Sequence, residues 1–90
     1  MRDEAREYIS LAKDDAYVCH SLREIPQVAP RIICFHAQQA IEKACKSLLI
    51  WKGIPPRRTH DLTEIAHMVE DAGITFPIPI DRLAYLTPLR

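Results

Sequence analysis

The sequence predicts an all-α fold, an up-and-down antiparallel bundle of three main helices followed by a short C-terminal turn. Apolar residues recur at three- and four-residue steps over three stretches, which is the period of an amphipathic helix. Prolines and glycines separate these stretches, and short connections favour antiparallel neighbours. At 90 residues the chain is expected to form one domain over residues 1–90, near the size at which a single core just offsets the chain entropy.

The first helix is predicted over residues 3 to about 25. Its apolar residues follow the helical period and leave most charged residues elsewhere: Tyr8, Leu11, Ala12, Ala16, Cys19 and Leu22. This pattern predicts an amphipathic helix with one face buried against the rest of the protein. Pro26 ends the pattern because it lacks a backbone donor, and Pro30 suits the first turn of the next helix.

The second helix is predicted from residue 30 to residue 51 or 52. It is apolar over much of its circumference, which is typical of a central helix packed on more than one neighbour. Gly53 supplies a left-handed stop, and Pro55 and Pro56 prevent the helix from continuing.

The third helix is expected to begin after Thr59 or Asp61, since either side chain can cap it. Asp61 and Glu64 also have the spacing of a capping box. Gly73 ends the helix, and Asp81 is expected to cap a short turn that runs through residue 86. The apolar stripe of the helix consists of Leu62, Ile65, Ala66 and Val69.

Composition narrows the class of protein. With 12 basic and 12 acidic residues the formal net charge is zero, so any site for a polyanion must be a local patch. No apolar run approaches the roughly 20 residues that span a bilayer, and the charged amino terminus is unlike a signal peptide, which predicts a cytoplasmic protein with no membrane partner. Three cysteines, an odd number, favour reduced thiols over a disulfide framework.

Two segments carry a family resemblance: residues 34–49, CFHAQQAIEKACKSLL, and after a proline-containing loop residues 59–62, THDL. Their order and spacing resemble the HEPN family over residues 8–86. HEPN domains are small, all-helical and occur beside a minimal nucleotidyltransferase. The resemblance implies a nucleotide- or RNA-associated protein that works as the HEPN half of a toxin-antitoxin-like two-component system, with a separate nucleotidyltransferase chain as partner.

The resemblance also implies a difference from the family at the C-terminal end. HEPN domains continue past the position of residues 86–88 into at least one more long helix, whereas this sequence stops at Arg90. We therefore expect the C-terminal helix to be lacking. Apolar surface left on the first two helices is then expected to be buried in a homodimer or higher oligomer.

Arg31 and His36 are candidate catalytic residues. Many HEPN proteins are metal-independent ribonucleases that use an Arg followed four to six residues later by a His, and Arg31 and His36 have this spacing. Such a pair would activate the ribose 2′-hydroxyl and stabilise the charged phosphate. On one helix, however, the two side chains lie roughly 140° apart, so a first-turn Arg and a hydrogen-bonded His at the core edge are the favoured alternative.

A nucleotide or phosphate site is predicted around the start of the third helix. The free backbone donors and the positive end of the helix dipole favour anions there. The candidate residues are Lys52, Arg57, Arg58 and His60. The alternative is that the basic residues are simply solvated and that His60 bonds to a backbone carbonyl.

A polar row on the second helix borders its apolar face: Gln38, Gln39, Glu42, Lys43 and Lys46. Gln39 with Lys43, and Glu42 with Lys46, are neighbours four residues apart. The row is either a solvated helix face or a groove and interface between subunits that contacts a nucleotide or a partner. Both interpretations stay open from the sequence.

No cofactor or metal is expected. Cys34 and His36 point about 160° apart on a helix, and no Cys-x-x-Cys or His-x3-His spacing exists. Cys19 and His20 are adjacent and point to different faces, which argues against a Cys-His nucleophile. Trp51 is expected to cover the core or an interface, with base stacking as the alternative. A non-catalytic scaffold for protein association is the remaining functional hypothesis.

Overall fold

The computed structural model describes residues 2–75 and contains three α-helices in that part of the chain. They are α1 (Arg2–Leu22), α2 (Pro30–Trp51) and α3 (Leu62–Asp71). No strand occurs within these residues, so the predicted all-α fold is confirmed. None of the three helices is both long enough and apolar enough to cross a membrane. The turn expected after Asp81 lies outside the described residues.

α2 is the central helix, as its apolar circumference predicts. It packs against both α1 and α3, whereas α1 and α3 do not pack against each other within residues 2–75. Two contacts show that α1 and α2 run antiparallel. The Ser47 hydroxyl donates to the carbonyl oxygen of Ala5 at 2.7 Å, and His36 meets Asp15 at the other end of the pair.

The helix boundaries follow from local hydrogen bonding. α1 ends at Leu22 rather than near residue 25, because the amides of Glu24 and Ile25 bond only three residues back in a turn. α2 starts at Pro30 as expected and ends at Trp51. Gly53 follows at φ 81°, and the amide of Ile54 donates to the carbonyl of Leu49 at 2.8 Å. This is the Schellman arrangement, which requires a left-handed residue that glycine adopts without strain.

Asp61 caps α3. Its side chain accepts hydrogen bonds from the amides of Thr63 and Glu64, while its own amide donates to the hydroxyl of Thr59. Asp61 is thus the cap, one of the two residues proposed from the sequence. The reciprocal half of the expected capping box is not formed, because the carboxylate of Glu64 instead accepts from Arg57 at 2.6 Å.

The main core lies between α2 and α3. Its fully covered side chains are Cys45, Leu49, Ile65 and Val69, and Ile41, Ile54, Met68, Ala72 and Ile74 pack against them. Leu62 and Ala66 are also buried, so the whole predicted stripe of α3 faces inward. The apolar pattern of α3 therefore predicted its packing correctly.

The packing of α1 differs from the pattern in its sequence. Leu11, expected on the buried face, is 43% exposed, and Ala16 is exposed too. Ala12 is buried as expected, and Ala5, which the predicted stripe did not include, is buried too. Because α1 packs on α2 alone within the described residues, its contact stripe is narrower than the apolar arc of its sequence.

The connection from α2 to α3 does not turn tightly. Over residues 52–61 it runs back beside α2 until the backbone carbonyl of His60 lies 3.5 Å from the side-chain nitrogen of Gln38. Gln38 precedes the last residue of α2 by 13 positions, which at 1.5 Å per residue is about 20 Å along the helix. This path places the loop against the polar row of α2.

The two cysteines of α2 are expected to differ in reactivity. Burial of Cys45, with the nearby Glu42 carboxylate, raises the pKa of its thiol from 9.0 to about 11, whereas Cys34 is exposed. A thiol reagent at about pH 8 should label Cys34 quickly and Cys45 only after unfolding, since the thiolate is the reactive form. Mass spectrometry of labelled peptides measures both. Equal labelling rates in the folded chain would contradict this packing.

Candidate functional site

A buried carboxylate lies at the centre of the polar residues. The side chain of Glu42 is only 4% exposed, and its Oε2 atom accepts from Lys46 Nζ at 3.0 Å and lies 3.0 Å from His60 Nδ1. A carboxylate removed from water is costly unless charged or polar donors surround it. The two partners meet that requirement, one from the same helix and one from the loop before α3.

His60 is held at one ring nitrogen and open at the other. Because a carboxylate accepts, the Nδ1 position carries the hydrogen toward Glu42. The side chain is 78% exposed, and Nε2 has no partner among residues 2–75. The imidazole is therefore oriented by a buried acid and presents Nε2 to solvent. This nitrogen accepts a hydrogen bond in the neutral ring and donates one to an anion in the imidazolium, an arrangement suited to moving a proton.

Gln38 lies beside this group and is 1% exposed. Its amide nitrogen donates to the carbonyl of His60, and its Oε1 atom has no partner within the described residues. The alternative of a solvated helix face is wrong for Gln38 and Glu42, because the loop of residues 52–61 covers both. The expected neighbour pair of Glu42 and Lys46 is present.

The other lysine of the row, Lys43, contacts α1 instead of Gln39. Its Nζ donates to Asp15 Oδ2 at 2.5 Å, and the second carboxylate oxygen of Asp15 lies 3.3 Å from His36 Nδ1. Burial on its own would raise the pKa of Asp15, but the hydrogen bonds and charges of Lys43 and His36 outweigh it and lower that pKa below 3.8. Asp15 thus joins α1 to the polar row.

The candidate catalytic pair is not brought together. His36 is half-buried and bonded to Asp15, while Arg31 is exposed in the first turn of α2 with no ion pair among residues 2–75. This is the placement that the alternative interpretation described, a first-turn Arg and a hydrogen-bonded His at the core edge. These contacts do not support RNA cleavage by Arg31 and His36.

The basic residues of the loop divide into paired and unpaired ones. Arg57 is bound to Glu64, whereas the side chains of Lys52 and Arg58 make no ion pair within the described part of the chain. The amides of Thr63 and Glu64 are not free for an anion, contrary to expectation, because Asp61 already occupies them. The positive charge here comes from side chains more than from the end of α3.

A groove of about 430 Å³ lies beside the loop. Three of the residues that line the groove belong to the sites predicted from the sequence: Lys46, Arg57 and Arg58. Tyr8 and Glu4 of α1 form part of its wall. The sequence placed Tyr8 among the core residues, so its position beside the basic loop was missed. Only the antiparallel packing of α1 on α2 brings residues so distant in sequence together.

The family assignment rests on the whole chain. The family model of the HEPN domain matches residues 2–90. This chain belongs to the HEPN domain family. No curated protein and no solved structure was found to match it. The resemblance seen in residues 34–49 and 59–62 is confirmed, and in this HEPN domain those segments form the Glu42 and His60 network. The nucleotidyltransferase association and the missing final helix stay predictions.

Replacing Glu42 by Gln tests the network. The substitution preserves shape but removes the charge that Lys46 and His60 satisfy, so we expect the free energy of unfolding to fall by about 1.5–3 kcal/mol. Urea denaturation measures the loss. Glu70→Gln, at an exposed position of α3, is the matched control and should change stability by less than about 0.5 kcal/mol. Equal effects of the two substitutions would show that Glu42 holds nothing in place.

Asp15→Asn tests the contact between α1 and α2 by its pH dependence. Because the pKa of Asp15 is lowered in the folded chain, its carboxylate stabilises the fold above the ordinary value of 3.8. That contribution is lost as pH falls through the lowered pKa. The stability difference between wild type and Asp15→Asn should therefore be constant near neutrality and vanish in acid. Asp14→Asn, at the exposed neighbouring position, serves as the control.

Proposed function

We propose that this HEPN domain binds the phosphates of RNA or a nucleotide through the loop that carries Lys52, Arg57, Arg58 and His60. In this proposal it works as the HEPN half of a toxin-antitoxin-like two-component system in the cytoplasm. The partner is a separate minimal nucleotidyltransferase chain. Membership of the HEPN family supports the general assignment, and the geometry of the loop supports the choice of site.

The orientation of His60 by Glu42 is the observation that carries the proposal. A solvated histidine in a loop would have no reason to be held by a carboxylate that is 4% exposed. Holding the ring costs the desolvation of Glu42, and the result is one imidazole nitrogen exposed to solvent in the loop that also carries Arg58. In the imidazolium form this nitrogen is a preorganised donor, and together with the unpaired guanidinium of the same loop it suits a phosphate group.

The charge distribution supports a local phosphate site. The whole chain has no net charge, so RNA would not be attracted to it at long range. Arg58 and Lys52 carry charge that no acid of residues 2–75 neutralises. Arg57 contributes less, since Glu64 accepts its hydrogen bond.

Self-association is part of the proposal, since HEPN domains often form dimers. Several large apolar side chains are exposed on α2, among them Ile32, Phe35 and Leu48. Exposed apolar surface of this kind favours burial against a second subunit or the partner chain. In this proposal Gln39 and Lys43 stand at the edge of that contact, and their side chains are half-buried.

The binding site is tested with single-stranded RNA at low salt. Arg58→Ala should weaken binding across sequences and reduce the slope of log K against log salt by about 0.7, because one phosphate contact is lost. Fluorescence anisotropy over about 50–200 mM salt measures both quantities. His60→Ala should also weaken binding.

Arg23→Ala is the control, since Arg23 is an exposed arginine just after the C-terminal end of α1, away from the loop. It should leave the affinity and the slope as in wild type. An unchanged slope for Arg58→Ala, or an equal loss for Arg23→Ala, would remove the loop as the binding site. Sedimentation of the chain alone and with the nucleotidyltransferase measures assembly in the same conditions.

A further inference from the structure

The groove of about 430 Å³ has walls from three parts of the chain. α1 contributes Glu4 and Tyr8, and α2 contributes Lys46 and Ile50. The loop contributes residues 53 and 55–58. Its size falls within the range of roughly 300–1,000 Å³ that is usual for small-molecule sites. The groove thus extends from the basic loop to a helix that the proposed phosphate site does not include.

One part of the groove is cationic. Arg58 is exposed and makes no ion pair among residues 2–75. Lys46 is held in place by its bond to Glu42, with its side chain 13% exposed, and an ammonium group has three donors, so one such bond leaves others available. These two side chains, one free to adapt and one fixed, are suited to a phosphate group.

Apart from the carboxylate of Glu4, the remaining wall is mainly aromatic and apolar. Tyr8 is half-buried on α1, and Pro56 of the loop presents apolar surface beside it, while Ile50 of α2 is buried at the edge of the groove. Phosphate alone would make no use of this surface. An aromatic ring beside a basic patch is the combination on which nucleic-acid bases stack, because every base has a flat π-face.

We infer that the groove binds one nucleoside phosphate unit, with its phosphate on Arg58 and Lys46 and its base against the ring of Tyr8. The inference rests on the proposed function and deepens it, since it adds a base subsite to a phosphate site. The unit is either a free mononucleotide or one nucleotide within single-stranded RNA, since both present the same phosphate, ribose and base.

The base subsite is tested by comparing AMP with ribose 5-phosphate, which lacks the base. AMP should bind wild type roughly 5- to 150-fold more tightly, the order expected for one base stacked on an aromatic ring. Tyr8→Leu should abolish this advantage, and Tyr8→Phe should retain it. Tyr17→Leu is the matched control, because Tyr17 is a 74% exposed tyrosine of the same helix outside the groove.

Isothermal titration measures the affinities, and circular dichroism verifies that each variant is folded. Equal affinities of wild type for AMP and ribose 5-phosphate would overturn the inference. An AMP advantage that survives in folded Tyr8→Leu would also overturn it. If Tyr8→Leu does not fold, wild type and Tyr8→Phe still test the inference, because absence of the AMP advantage in either of them would overturn it.

An oligoribonucleotide distinguishes the two sources of the ligand. Competition between AMP and the oligoribonucleotide, with both weakened by Tyr8→Leu, assigns the groove to a nucleotide of RNA. Loss of the AMP advantage with unchanged oligoribonucleotide binding assigns it to free mononucleotides. If Arg58→Ala weakens oligoribonucleotide binding while Tyr8→Leu changes neither ligand, the phosphate site stands and the groove inference fails. Wild type that binds no RNA at low salt would instead remove the proposed function.

Discussion

The buried carboxylate of Glu42 is the interaction on which the rest of this structure depends. An acid at that depth is tolerated only because Lys46 and His60 reach it, and His60 reaches it only because residues 52–61 run back along α2. One charge therefore fixes the path of the loop, the position of the α3 cap and the orientation of the imidazole. The core between α2 and α3 is then closed by Ile54, which lies in the same loop.

Because Glu42 lies on the central helix, the residues that stabilise the fold and the residues of the proposed site contact one another. α2 provides apolar side chains toward α3 and polar ones toward the loop, and Asp15 of α1 satisfies the lysine on another side. Four residues of the row, Gln38, Glu42, Lys43 and Lys46, thereby bond to other residues of the chain. Among the described residues of the proposed sites, the groups that remain available to a ligand are the outer nitrogen of His60, the spare donors of Lys46 and the unpaired Lys52 and Arg58.

The fold was largely predictable, because helical periodicity and the stops at Gly53 and Gly73 are local signals that tertiary contacts did not override. The buried face of α1 was predicted less well, since amphipathic periodicity does not reveal that Leu11 and Ala16 would be left exposed. Candidate residues such as His60 were visible in the sequence. Their partners were not, because the contacts of Glu42 with His60 and of Asp15 with Lys43 span 18 and 28 positions.

The alanines at the interface of α1 and α2 have a consequence for local stability. Ala5 and Ala12 are the buried residues of α1, and their small side chains bury less apolar area than Leu62, Ile65 and Val69 of α3 do, so each gains less from the hydrophobic effect. Where a contact depends on small side chains, we expect local opening to cost less free energy than opening of the core, and the amides there to exchange hydrogen sooner. A ligand that contacts both Tyr8 and Arg58 would stabilise the packed position of α1. By linkage, α1 would then open less often as more of the groove is occupied by ligand.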